Sequence, residues 1–539
     1  MQNLTFKHKQ VNLRILTSLV ASMVALTALS QDGGERPRLV IGIVVDQLRS
    51  DYIDLLQSRF GEDGFKRLMR DGAFLENVEF DVPDLDIASG TALLMSGASP
   101  SVNGIPCSYV YDRKAGKAQY ILADPSAMGN FTDIAYSPAA YKVSTITDEL
   151  RVHNSGMGYV HSIAADPQQA ILLAGHAANS AFWINDRTGN WASTTFYRDA
   201  PQILSGRNYR LPLATRLDTM WWEPALPLDD YPDILSFKKY YAFRYIYSSS
   251  DRDRFVKYKT SALANSEVTT VAIEYLNSLK LGSRGQTDML CLGYTVAPYR
   301  YTRDGDNRVE NQDLYIRLDR ELARLFAEID RSVGMSNTMV FVTSTGYYCD
   351  NTRPDERFNI PTGEFYPNRA VSLLNMYLMA IYGNGQWVKG YFNRQFFLDH
   401  KLIEDKKLSL TELRAKSSEL LRQMSGIRAA YTFEEILNNP ASAEARALHR
   451  AMVPAYCGDV VVDVSPGWLI MDQGNDNFDE AQLIRTNAVN TPVFIMAPSV
   501  KPQKISIPVD ATAIAPTIAS ILRIRSPNAA MSMPLNLGY

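Results

Sequence analysis

Apolar residues follow two rhythms along this chain. The first is a set of short unbroken runs rich in β-branched residues: residues 39–45 read LVIGIVV, 288–295 read DMLCLGYT and 338–343 read TMVFVT. Such runs predict strands buried on both faces of a parallel sheet. Residues 158–164, 459–464 and 492–497 repeat the pattern. The second rhythm has helical spacing. Leu314, Leu318, Leu322, Leu325, Ile329 and Val333 fall on one stripe over 311–333, and Gly334 follows as a stop signal. Tyr52, Ile53, Leu55 and Leu56 continue the first strand into a helix, with Ser50 or Asp51 as its cap. Residues 64–70, closed by the turn signal Asp71-Gly72, and 511–522 predict two more helices. This alternation predicts an α/β fold with a mainly parallel central sheet flanked by helices.

Two stretches interrupt the alternation and read as insertions on one core. Residues 107–280 are rich in Tyr, Trp, Asn and Asp and include WINDRTGNWASTTFY at 183–197. That aromatic run suits either a sugar- or partner-binding surface or a structural cap. Residues 348–475 include a charged helical segment at 402–424. No internal repeat or low-complexity tract is present.

The N-terminus changes the compartment. Lys7, His8, Lys9 and Arg14 precede an apolar run of about fifteen residues, ILTSLVASMVALTAL, ending in small residues before Gln31. The layout predicts a cleavable secretory signal over 1–30, leaving 31–539 as the mature domain; the alternative is an N-terminal membrane anchor. The run is short for a span of about twenty residues. No long apolar stretch follows it, so the mature chain is expected to be periplasmic or secreted, without a transmembrane span. Removing 1–30, which hold three bases and no acid, takes the net charge from −3 to −6. That balance argues against a nucleic-acid partner. Cys107, Cys291, Cys349 and Cys457 are spaced unlike a zinc motif; export permits disulfides, but the spacing does not fix a pairing.

Several segments together resemble the alkaline phosphatase superfamily, and within it the PafA-type phosphatases and the type I phosphodiesterase/nucleotide pyrophosphatase group. They include LVIGIVVDQLRSDY (39–52), RFGEDGFKRLMRDGAF (59–74), SGASPSVNGI (96–105), AILLAGHAANSAFWIND (170–186), NRQFFLDHKLIEDKKL (393–408) and VDATAIAPTIASILRI (509–524). The resemblance implies an alkaline-phosphatase-like sheet with cap and helical insertions. It also implies phosphoryl-ester hydrolysis at a two-zinc site with a Thr or Ser nucleophile.

The residues that would do this chemistry are mostly replaced. The first family ligand, the Asp ending the first strand, is kept as Asp46. The nucleophile position falls on Asp86, or on Ile87 counted from the other side. The next two ligands fall on Thr295 and Tyr299, the following pair on Thr345 and Gly346, and the last on Ala481. The substrate-contacting Asn falls on Ser108, and the phosphate-contacting Lys and Arg fall on Asp166 and Gln168. The five histidines beyond the signal, His153, His161, His176, His400 and His449, lie in other contexts. An open zinc site still needs three or four protein donors.

These replacements predict a pseudophosphatase without zinc, working at the cell envelope by binding a protein, a glycan or a lipid. The alternative is an active metal-dependent phosphomonoesterase or phosphodiesterase with a rebuilt site. There Asp46, Asp84 and Asp86 would hold one hard cation such as Ca²⁺ or Mg²⁺; Asp84 and Asp86 also suit turn and cap roles. Tyr294, Tyr299, Tyr347, Tyr348 and Cys349 crowd the former ligand loops, either filling a vacated metal cavity or packing as ordinary loop residues.

Overall fold

A computed structural model describes residues 36–198, 202–302, 305–349, 362–438, 440–471, 482–483 and 489–538. The expected signal at 1–30 and the ligand position Ala481 lie outside them. The central sheet is built from β1 (Leu39–Asp46), β2 (Ala73–Glu79), β3 (Val160–Ala164), β4 (Ser180–Ile184), β5 (Trp191–Thr194), β6 (Asp288–Thr295), β7 (Thr338–Ser344), β8 (Thr491–Met496) and β9 (Gln503–Ile505). Their order is β9-β2-β8-β7-β1-β6-β3-β4-β5, with Gly129–Asn130 at the far edge and Val509–Asp510 beside β2. The centre, β7-β1-β6-β3-β4, is parallel; β8 and β5 run antiparallel to their neighbours.

β1 shows why an unbroken apolar run is needed. Leu39, Ile41, Ile43 and Val45 pack into the core on one face, and Val40 and Val44 into the core on the other. Gly42 lies under Phe341 of β7, whose ring would be 2.5 Å from a Cβ there. Burying both faces leaves polar groups at the strand ends, which is where ligands bind in such sheets.

Some expectations need correction. Neither Ser50 nor Asp51 is the cap residue of the helix Ser50–Leu56: Arg49 occupies that position without a side-chain cap bond, Asp51 accepts from Tyr52 N within the first turn at 3.0 Å, and the Ser50 hydroxyl donates to Glu76 O of β2 at 2.6 Å. The stretch 107–280 is not one insertion, because β3, β4 and β5 within it extend the central sheet. Trp183 and Trp191 of the aromatic run are buried in that sheet edge, so they form no open binding surface. The segment 402–424 is broken into His400–Asp405 and Leu410–Leu421, with Lys407 in a left-handed conformation between them. The stretch 348–475 also carries its own four-stranded antiparallel sheet and hydrophobic core. Among the described residues no disulfide joins Cys107, Cys291, Cys349 or Cys457.

Candidate functional site

Strand register brings the expected ligand positions together. Asp46 at the end of β1 lies directly opposite Thr295 at the end of β6, and Val45 opposite Ser344 of β7, so Thr345 follows alongside. The third side is the helix α1 (Ile87–Ser96). Its Gly90 presses on the same loop so closely that a Cβ would fall 1.9 Å from Thr345 O.

Asp46 is buried and bonded only to neutral groups. Thr345 Oγ1 donates to it at 3.0 Å, Gln47 Nε2 lies at 3.4 Å, and the Tyr347 hydroxyl also bonds it. Burial pushes its pKa up to about 6; Thr345, Tyr347 and Gln47 pull it partly back. Gln47, in a left-handed conformation, organises the loop. Its backbone N–H donates to Thr345 Oγ1 at 3.0 Å, its Nε2 to the Tyr347 hydroxyl at 3.3 Å, and its Oε1 accepts from Cys349 N at 2.8 Å.

Among the described residues, the two positions where the resemblance implies histidines, Gly346 and Tyr299, are closed. Gly346 has φ +84°, and the Phe80 ring stands 2.4 Å from where its Cβ would be. Tyr299 is buried among Trp222, Tyr245 and Tyr301, with ring centroids at 5.0, 4.6 and 5.7 Å. Thr295 folds back locally: its hydroxyl accepts from Ala297 N at 3.1 Å, and its backbone exchanges two bonds with Asn265. Tyr294 bonds Thr269, and Tyr348 lies under the Arg49 guanidinium. Of the crowded tyrosines, Tyr347 is the one that reaches Asp46.

Asp86 and Ser108 do meet, as a structural clip. Asp86 caps α1, accepting from Ala88 N at 3.1 Å, and from Ser89 N and Oγ at 2.9 Å each. Its other oxygen takes Ser108 N at 2.6 Å. Ile87 is the first residue of α1. Asp84, at φ +61°, forms an ion pair with Arg394 from the second insertion. Asp46, Asp84 and Asp86 are therefore each committed to protein donors rather than gathered as a cation site. Among the described residues, no group of three or more His, Cys, Asp and Glu is placed to hold a metal ion.

Asp166 caps the helix Pro167–Ala174 through Gln168 N at 2.8 Å and Gln169 N at 3.3 Å. Burial raises its pKa; nearby Lys259, bonded to Asp186 at 2.6 Å, pulls the other way. Gln168 is buried near Tyr120. Gln47, Phe80, Lys259 and Arg394 were not singled out from the sequence. A Gln directly after the strand-ending Asp was the one local signal; the others come from distant segments.

The sheet order, the strand-end site and the two elaborations define the class. The profile of the type I phosphodiesterase / nucleotide pyrophosphatase family matches residues 40–488, and the chain belongs to that family. Within it the chain is similar to alkaline phosphatase PafA of Elizabethkingia meningoseptica, 26% identical over 93% of this chain and 94% of that protein. It is 26% identical to alkaline phosphatase PhoV of Synechococcus elongatus, over 92% and 91% of the two chains. It is 27% identical to a protein named calcium-transporting ATPase in Myroides odoratus, over 95% and 96%. The crystal structure of wild-type PafA superposes with a TM-score of 0.80 at 26% identity, covering 94% of this chain and 99% of that one. The fold is thus the alkaline-phosphatase-like fold of the PafA-type group. Among the described residues no helix is long and apolar enough to cross a membrane.

Proposed function

We propose that this member of a phosphoester-hydrolase family is an exported, catalytically inactive pseudophosphatase that binds a component of the cell envelope. The observation that carries this reading is at Gly346. Its positive φ and the Phe80 ring leave no room for a ligand side chain beside Asp46. The neighbouring positions support it: a Thr locked into its own turn, a Tyr packed into an aromatic cluster, and a capping Asp where a nucleophile would stand. Asp86 has both carboxylate oxygens bonded to α1 and Ser108, Asp166 and Gln168 stand as an acid and an amide at the phosphate-contacting positions, and the nearby Lys259 is paired with Asp186. The residues present do not fit two zinc ions, so no hydrolytic step is assigned to them.

The test is metal analysis of the mature chain with assays on aryl phosphate monoesters and diesters. The expected result is substoichiometric zinc and no turnover above background. Stoichiometric zinc with turnover that vanishes in Asp46→Ala would overturn the proposal.

A further inference from the structure

A cleft of about 370 Å³ opens in the first insertion, away from the strand ends, between the helix Ala262–Ser278 and the segment running from Leu213–Leu217 to Trp221. That volume is in the range of small-ligand sites. At its floor Glu267, 4% exposed, is gripped by two guanidiniums. Arg207 bonds it through Nε and Nη2 at 3.0 Å each, and Arg216 through Nη1 and Nη2 at 2.8 and 2.6 Å. Burial would raise the Glu267 pKa, but the Arg216 and Arg207 bonds hold it down at about 2. Arg207 also pairs with Glu274. Thr270 Oγ1 of the lining accepts from Arg324, which also bonds Glu321.

Counting Glu274 beside the lining, two guanidiniums thus meet two carboxylates. What the cleft offers is planar and polar. Arg216, 23% exposed, commits three of its five N–H groups to Leu211 and Glu267. The Thr219 and Thr270 side chains add hydroxyl oxygens to the lining. The lip is aromatic. Trp221 is 47% exposed, lies opposite Ile246 on the paired strand and carries Arg244 over its ring at 4.7 Å.

A floor of paired guanidinium and carboxylate groups with an indole lip matches the chemistry of a sugar ring. The C–H face stacks on the indole, and the hydroxyls take paired bonds from planar guanidinium and carboxylate groups. We infer that this cleft binds a neutral saccharide unit, which rests on the reading that the chain works by binding and names a ligand class for it.

The experiment uses the mature chain, with tryptophan fluorescence and calorimetry. The probes are methyl glycosides of glucose, galactose and N-acetylglucosamine, the N-acetylglucosamine disaccharide, and inorganic phosphate. Saturable binding of at least one saccharide is expected, weakened about tenfold or more in Trp221→Ala and unchanged in Tyr240→Ala, whose ring is exposed elsewhere. Thermal melts confirm that both variants fold. No saccharide binding, binding indifferent to Trp221→Ala, or displacement of the saccharide by phosphate would overturn the inference. Zinc-dependent phosphoester turnover would instead overturn the pseudophosphatase reading and leave a saccharide result standing.

Discussion

Asp46 and Asp459 are both buried carboxylates beside β-strands, in opposite company. Asp459, before the strand Val460–Val464 of the second insertion, accepts from Arg113 at 2.8 Å, His400 at 2.8 Å, Arg414 at 2.9 Å and Leu398 N at 2.8 Å. Burial alone would raise its pKa, yet His400 and Arg113 hold it well below the usual carboxylate range. Asp46 has no cation among the groups bonded to it, and burial leaves it at about 6. One carboxylate ties two insertions together, since Arg113 comes from the first. The other keeps the charge type of a metal ligand in a neutral pocket. A buried carboxylate with cationic partners stays ionised, whereas one with neutral partners alone is held toward its protonated form.

The comparison breaks most visibly at Asp459. Replacing it with Ala leaves Arg113 without a carboxylate and Arg414 with Glu434 alone, and chemical denaturation is expected to show a loss of about 3–5 kcal/mol. Asp46→Asn should do the reverse. The folded-state pKa of Asp46 lies above its ordinary 3.8, so between about pH 4 and 6 the folded state binds more protons and stability falls as pH rises. Above pH 6 the full penalty stands, so the neutral amide is expected to stabilise the chain at pH 7–8 by up to about 3 kcal/mol. The gain should disappear near pH 4. Destabilisation at neutral pH would mean that Asp46 has a cationic partner in solution.

Gly346→His, which restores the family's residue type, sharpens the same point. The left-handed backbone and the Phe80 ring are expected to make it cost about 2–4 kcal/mol, with part recovered in the Phe80→Ala background. A thermal melt reading no loss would mean the loop has room for a ligand. The saccharide cleft gives the smallest expected effect, a tenfold weakening or about 1.4 kcal/mol of binding energy lost in Trp221→Ala.

Much of the fold was legible because burial on both faces demands it. Residues 39–45, 288–295 and 338–343 have nowhere to go but the sheet centre, and their strands form there. Strands β4 and β5 were missed because SAFWI and WAST lack the β-branched run and sit in a Tyr- and Trp-rich stretch. At the site, residue types alone led to the expectation that Thr295, Tyr299, Thr345 and Gly346 hold no zinc. They did not show what replaced the missing groups. Phe80 on Gly346, Arg394 on Asp84 and Trp222 on Tyr299 are contacts between distant segments, fixed by tertiary packing rather than local pattern.

The central claim is that Asp46 stands without a metal. Calorimetric titration of the mature chain with zinc, paired with turnover of an aryl phosphate, tests it most directly. The account predicts no stoichiometric zinc binding and no turnover, with the same result in Asp46→Asn. Binding of one or two zinc ions per chain, with hydrolysis lost in that variant, would contradict it.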